Sequence, residues 1–203
     1  MNIYALSSGR GPSGIAIVRI SGNETLKICE NLTKLKSIKS NEVNFCKFYD
    51  PKNDNIIDPE ALLLWFPGPN SYTGEDMAEF HVHGSVAVVL AIQNSISKIE
   101  NCRIAEPGEF TKLAFQNGKI NLLKAESIAD LISAETEIQR QQAIKIMNGK
   151  SADQFNFLRE KLLKILSHVE AKIDFPEEDL PNDILKEIKK DSDEVLIHIE
   201  KIL

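Results

Sequence analysis

Up to about residue 118, apolar residues come in short runs separated by Gly, Pro, Asn and Asp. That punctuation predicts strands joined by tight connections. Strands are expected over residues 3–6 and 15–20, on either side of the glycine-rich stretch Ser8-Gly-Arg-Gly-Pro-Ser-Gly14. Asn23 reads as the cap of a helix over residues 24–32. Residues 45–49 and 61–66 flank Pro51-Lys-Asn-Asp-Asn55, a polar turn suited to closing a hairpin. A further strand is expected over residues 77–83, a helix over 85–99, and a return to the sheet at 103–105, ahead of Pro107-Gly108. This order predicts an α+β domain over residues 1–118 with a split βαβ-like layer.

After Gly118 the period changes: Gly and Pro become scarce and apolar residues recur every three or four positions, which predicts a helical segment over residues 119–203. The best helix covers residues 152–173, with Phe155, Leu158, Leu162, Ile165, Leu166, Val169 and Ile173 on one stripe that calls for burial against another helix. The prolines of residues 174–181 interrupt it. A last helix over residues 182–203 carries Ile184, Leu185, Ile188, Val195, Ile199 and Ile202, and its apolar face invites a further element to cover it.

With 203 residues, 42% of them hydrophobic, the chain has enough apolar material for at least one core. Its longest apolar runs, residues 61–66 and 86–92, fall far short of the roughly 20 residues a membrane span needs. Residues 1–10 lack the pattern of a secretory signal, so the expected location is cytoplasmic, with no membrane association. Cys29, Cys46 and Cys102 are widely spaced, which argues against a disulfide framework or zinc ribbon and for packed, reduced thiols. The formal charge of -6 is spread along the chain: residues 1–118 hold 11 basic and 13 acidic groups. Without a cationic half, the chain alone is poorly suited to gripping a nucleic-acid backbone, and any tRNA contact would be local or shared.

Four features carry candidate chemistry. The loop from Ser8 to Gly14 fits neither phosphate-binding glycine spacing and joins two strands, so a tight connection is the favoured reading. Gly149-Lys150-Ser151 resembles the end of a Walker A loop, but Ile144 stands where the upstream glycine belongs. A helix end at Asn148-Gly149 is expected instead, and no GTP hydrolysis by this chain. Glu79, His81 and His83 share one strand face, conceivable as a metal site but lacking a fourth ligand nearby; the prediction is no metal. Arg19 sits inside an apolar run and Lys119 follows the Asn117-Gly118 turn. Buried charge needs a partner or a ligand. An Arg19–Glu79 ion pair across the sheet, and a pocket for an anionic, donor-rich ligand, fit this spacing equally well.

A resemblance to a known family weighs on that tie. The runs Ile17-Val-Arg-Ile-Ser-Gly22 and Leu64-Trp-Phe-Pro-Gly-Pro-Asn-Ser-Tyr-Thr-Gly-Glu-Asp76 resemble the front part of the MnmE (TrmE) family of tRNA-modification GTPases. So do Glu79 through Gly84, Arg103-Ile-Ala-Glu-Pro-Gly-Glu-Phe110, Ala114-Phe-Gln-Asn-Gly-Lys119, Ala125-Glu-Ser-Ile-Ala-Asp-Leu-Ile132 and Val169-Glu-Ala-Lys-Ile-Asp-Phe-Pro-Glu-Glu178, in the same order. The resemblance implies a fold like the folate-binding domain of the glycine-cleavage T protein over residues 1–118, and part of a helical domain over 119–203, ending before the GTPase domain. It implies a tetrahydrofolate derivative, 5,10-methylene- or 5-formyl-tetrahydrofolate, held by Arg19, Glu79 and Lys119, and homodimerisation through the first domain. It further implies (carboxymethyl)aminomethylation of the tRNA wobble uridine, U34, with an FAD-dependent MnmG-type partner. GTP and potassium belong to the complete family members, not to this segment. Asn121 departs from the family's usual Asp. Against the folate reading stands a non-catalytic dimerisation or assembly scaffold, or the remnant of a truncated gene; a free-standing one-carbon transferase ranks last. Catalytic residues stay unassigned.

Overall fold

Period-two alternation in the first half, and period 3.6 in the second, set the architecture. The computed structural model describes residues 1–174 and 184–201 and divides into two units, Met1–Ala125 and Glu126–Leu203. In the first, strands β1 (Asn2–Leu6) and β2 (Ser13–Ser21) precede helix α1 (Thr25–Thr33). Then come β3 (Val43–Tyr49), β4 (Ile56–Phe66), β5 (Met77–Gly84), α2 (Val86–Ser97), β6 (Cys102–Ile104) and α3 (Glu109–Gln116). The strands form one sheet in the order β3-β4-β5-β2-β1-β6, with β1–β6 parallel and the other neighbours antiparallel. Because β5 and β6 run the same way with β2 and β1 between them, β5-α2-β6 is the expected split βαβ crossover.

One face of the sheet is the core and the other is open. Val18 and Ile20 on β2, Leu63 on β4 and Phe80 on β5 are fully buried with Ile28 and Leu32 of α1 and Ile92 and Ile96 of α2. The register then dictates the opposite face, since alternate residues must point away. Ala5, Arg19, Glu79 and Leu64 lie in one row across it; Ile17, His81, Leu62 and Phe45 lie in the next.

One local expectation needed correction, and one element was not foreseen. Asn23 does not cap α1: the helix starts at Thr25, its N-cap is Glu24, and no side chain caps it. The chain just before the helix is instead held by a residue distant in sequence, Asn2, whose Oδ1 accepts the Glu24 amide at 3.0 Å. Gly22 makes the arrangement possible: it has φ 143°, and a Cβ there would lie 2.8 Å from the Asn2 Cα. The element not foreseen is α3, a helix of only eight residues that apolar spacing did not signal. It starts from Gly108 in the left-handed region and reverses into Gly118.

Helix α4 (Leu122–Ser133) leads into the second unit, followed by α5 (Glu137–Met147), α6 (Lys150–Asp174) and α7 (Ile184–Glu200). Asn121 starts α4, its Oδ1 accepting the Lys124 amide at 2.8 Å, a role that Asp would fill equally. Thr136 and Gln139 build a capping box for α5. As expected, α5 ends at Asn148-Gly149, with Gly149 at φ 87°. The proline-rich interruption lies almost wholly outside the described residues.

The stripe expected to be buried along α6 is covered only in part: Leu158 is buried and Ile165 half-buried, while Phe155, Leu162, Leu166, Val169 and Ile173 are exposed. An antiparallel neighbour covers only part of a helix's circumference. That neighbour, α7, contributes a buried Val195 and an ionic seam in which Lys161 binds Asp191 and Glu194, both at 2.7 Å. Lys164 adds a second bridge to Asp191 at 3.2 Å. These contacts raise the pKa of both lysines and lower that of Asp191.

Candidate ligand-binding site

The pairing of β2 with β5 sets Arg19 directly opposite Glu79 on the open face. Arg19 donates from Nε at 3.0 Å and from Nη2 at 2.7 Å, both to Glu79 Oε1. The expected cross-sheet ion pair is therefore present. It leaves Glu79 Oε2 with one weaker neighbour, His81 Nε2 at 3.4 Å. The Arg19 guanidinium also lies 5.6 Å from the Tyr72 ring centroid and 5.5 Å from that of Phe110, within cation–π range of both. Half-buried charge, a spare carboxylate oxygen and two ring faces thus converge at one point.

Tyr72 is brought there by the 67–76 loop, which is tied down along its length. The Gly68 amide donates to Asp76 Oδ1 at 2.9 Å, and Ser71 Oγ donates to the Glu75 carbonyl. Thr73 is buried against Ser21, their hydroxyls 2.7 Å apart, and its carbonyl accepts from Asn117 Nδ2 at 2.7 Å. Tyr72 and Thr111 join through their hydroxyls at 2.8 Å, which links the loop to α3 and so to Phe110. Lys119 reaches this same loop rather than the ion pair: its Nζ donates to the Pro69 carbonyl at 2.8 Å and its stem lies along Gly74. Arg19 and Glu79 are in direct contact, and Lys119 is placed on the loop that roofs them.

Sequence reasoning missed Tyr72 and Phe110. Both stand in segments singled out above, but only the folded loop and α3 carry them to Arg19.

Farther along the open face, His83 is held through its ring. Its Nδ1 lies 2.9 and 3.1 Å from the two Asp58 oxygens, and its own amide donates to Asp58 Oδ2 at 2.8 Å. Asp58 is fully buried and also accepts the Glu60 amide at 3.2 Å. Among the described residues, no three His, Cys, Asp or Glu side chains gather as a metal-holding group. All three cysteines are free. Burial raises the Cys29 thiol, pushes Cys46 up to about 12 and raises Cys102, so none is a ready thiolate nucleophile.

Beside α3, a paired bond from Arg103 holds Glu109 well below the ordinary carboxylate range, at about 2, assisted by the Glu106 amide. Depression means that this interaction stabilises the fold fully above the ordinary value of 4.5 and is lost as pH falls toward 2. Arg103→Met is expected to return the Glu109 titration toward the ordinary value, read by carbon-detected NMR. An unchanged titration would rule this pairing out as its cause.

The family comparisons agree with this architecture. Residues 2–119 match the family described as "GTP-binding protein TrmE N-terminus", and residues 122–203 match the "MnmE helical domain". A tRNA modification GTPase MnmE of Pelagibacter ubique (strain HTCC1062) is 70% identical over 203 residues, covering 100% of this chain and 46% of the relative. That of Parvibaculum lavamentivorans is 40% identical over 202 residues, covering 98% of this chain and 46% of the relative. That of Rickettsia bellii (strain OSU 85-389) is 43% identical over 186 residues, covering 92% of this chain and 42% of the relative. The chain belongs to the MnmE (TrmE) family, matching its N-terminal and helical domains while spanning somewhat under half the length of these relatives.

Proposed function

We propose that residues 1–118 form a folate-binding and dimerisation domain of an MnmE-type enzyme that modifies the wobble uridine, U34, of tRNA, and that residues 119–203 are part of its helical domain. The observation that carries the folate reading is the half-buried Arg19–Glu79 pair beside Tyr72 and Phe110, with one carboxylate oxygen lightly engaged. That donor set fits a reduced pterin: Glu79 can accept ring N–H groups, the aromatic faces can meet the ring, and Arg19 or Lys119 can donate to acceptor oxygens or the glutamate tail. The ligand is 5-formyl- or 5,10-methylene-tetrahydrofolate, and the latter, when bound, would supply the one-carbon unit for (carboxymethyl)aminomethylation. The complete enzyme acts with an FAD-dependent MnmG-type partner. GTP hydrolysis and its potassium requirement lie outside this chain.

Homodimerisation through the first unit is supported by apolar side chains left on the open sheet face, with Phe45 82%, Ile15 64% and Val43 50% exposed. A scaffold without folate remains the competing reading, favoured by the exposed α6 residues as a second docking surface.

Calorimetric titration of the 203-residue chain with 5-formyltetrahydrofolate, alongside analytical ultracentrifugation, separates them. Saturable binding by a dimer is expected. A folded dimer that binds no folate would sink the folate reading and leave the scaffold; a monomer would remove the dimerisation role.

A further inference from the structure

The Arg19–Glu79 site is closed at one end and open at the other. Toward Met77 it is walled by the 67–76 loop and α3, joined through Tyr72–Thr111 and the buried Ser21–Thr73 contact. In the other direction along β5 the side chains sharing this face become steadily more accessible: Glu79 17%, His81 25%, His83 60% exposed. Ile17 of β2 and Leu62 of β4 sit on either side of His81 and are half-buried, giving a polar floor with apolar flanks. Glu79 and His83 are four positions apart along the strand, about 13 Å at the usual rise of about 3.3 Å per residue.

At the open end stands an imidazole whose orientation is set by Asp58. Asp58 is fully buried and engages His83 Nδ1 with both oxygens, while the His83 and Glu60 amides also donate to it. A carboxylate on Nδ1 fixes the ring orientation and places the proton of the neutral ring there, so the exposed Nε2 is a hydrogen-bond acceptor. The buried Asp58 carboxylate takes its partners from the His83 ring as well as from the two backbone amides. The ring bond adds a directed acceptor facing solvent.

We infer that His83 is a specificity-determining contact for the far end of an elongated ligand whose near end is held at Glu79, its Nε2 accepting a hydrogen bond from an N–H of that distal part. The inference rests on the folate reading above and deepens it. In a reduced folate the aromatic benzoyl segment lies between Ile17 and Leu62, and the amide N–H joining it to glutamate reaches His83. Asp58 is a positioning residue that holds the ring for this contact.

The test compares two ligands by calorimetry on the 203-residue chain: 5-formyltetrahydrofolate, and 6-methyltetrahydropterin, which lacks the benzoyl-glutamate. His83→Ala should weaken the folate about tenfold, the scale of one hydrogen bond, and leave the pterin within about twofold. His83→Gln, which restores an acceptor, should recover most of the loss and stands in should the alanine variant not fold. Equal loss for both ligands, or no loss for either, overturns the role of His83 while the folate reading stands. Failure of the unmutated chain to bind either ligand overturns both.

Discussion

Phe80→Ala is expected to destabilise the first unit by about 3–5 kcal/mol, the usual cost of removing a buried aromatic ring. Phe80 is fully buried, its ring centroid is 4.9 Å from that of Phe48, and its sheet neighbours Val18 and Leu63 are fully buried as well. The cost belongs at the upper end for a reason of geometry. β5 is hydrogen-bonded on both sides, to β4 and β2, so the backbone cannot collapse into the vacated space. Urea unfolding followed by the fluorescence of Trp65, the one tryptophan and a partly buried residue of this core, reads the first unit directly. Phe80→Leu should cost much less, because it keeps most of the volume. A loss below about 1 kcal/mol for the alanine variant would mean that this ring is not central to the core.

Glu79→Ala is expected to weaken 5-formyltetrahydrofolate binding by about 100-fold or more. Hydrogen bonds to a charged acceptor contribute about 1.5–3 kcal/mol each, and a pterin edge offers two donors to one carboxylate. The substitution also releases the Arg19 guanidinium, whose Nε and Nη2 both depend on Glu79 Oε1, so the remaining cation loses its orientation. Glu79→Gln separates these effects: it keeps shape and one acceptor but removes the charge, and should fall between wild type and alanine. Calorimetry measures binding, and circular dichroism establishes that each variant is folded at the titration temperature. Binding unchanged in folded Glu79→Ala would take Glu79 out of the site and reduce the Arg19–Glu79 pair to a structural tie.

The two predictions draw on adjacent residues of β5 that face opposite sides of the sheet, and that division was already legible in the chain. In residues 77–83 the polar Glu79, His81 and His83 alternate with apolar residues, which marks Glu79 and Phe80 as opposite faces, because strand side chains alternate strictly. The change of period after Gly118, the α5 stop at Asn148-Gly149 and the hairpin around Pro51 were legible for the same kind of reason. Each depends on residues within a few positions of one another.

What the linear pattern left open always involved a distant partner. Whether Arg19 was paired depended on strand register, which placed it opposite a residue 60 positions away. The start of α1 was assigned locally to Asn23, while Asn2 provided the contact from the neighbouring strand. The α6 stripe shows apolar character that sequence detects, but how much of it is covered depends on the number of neighbours packed around it. Tyr72, Phe110 and the Asp58–His83 dyad emerge only when loop, helix and strand are assembled. By itself the sequence determined the α+β and helical halves and the polar face of β5, since periodicity and turn chemistry are local, while its motif runs carried the family resemblance. The tertiary structure decided the partners of each charge and the open end of the site, because Coulombic and hydrogen-bond contacts act over a few ångströms of space and not along the chain.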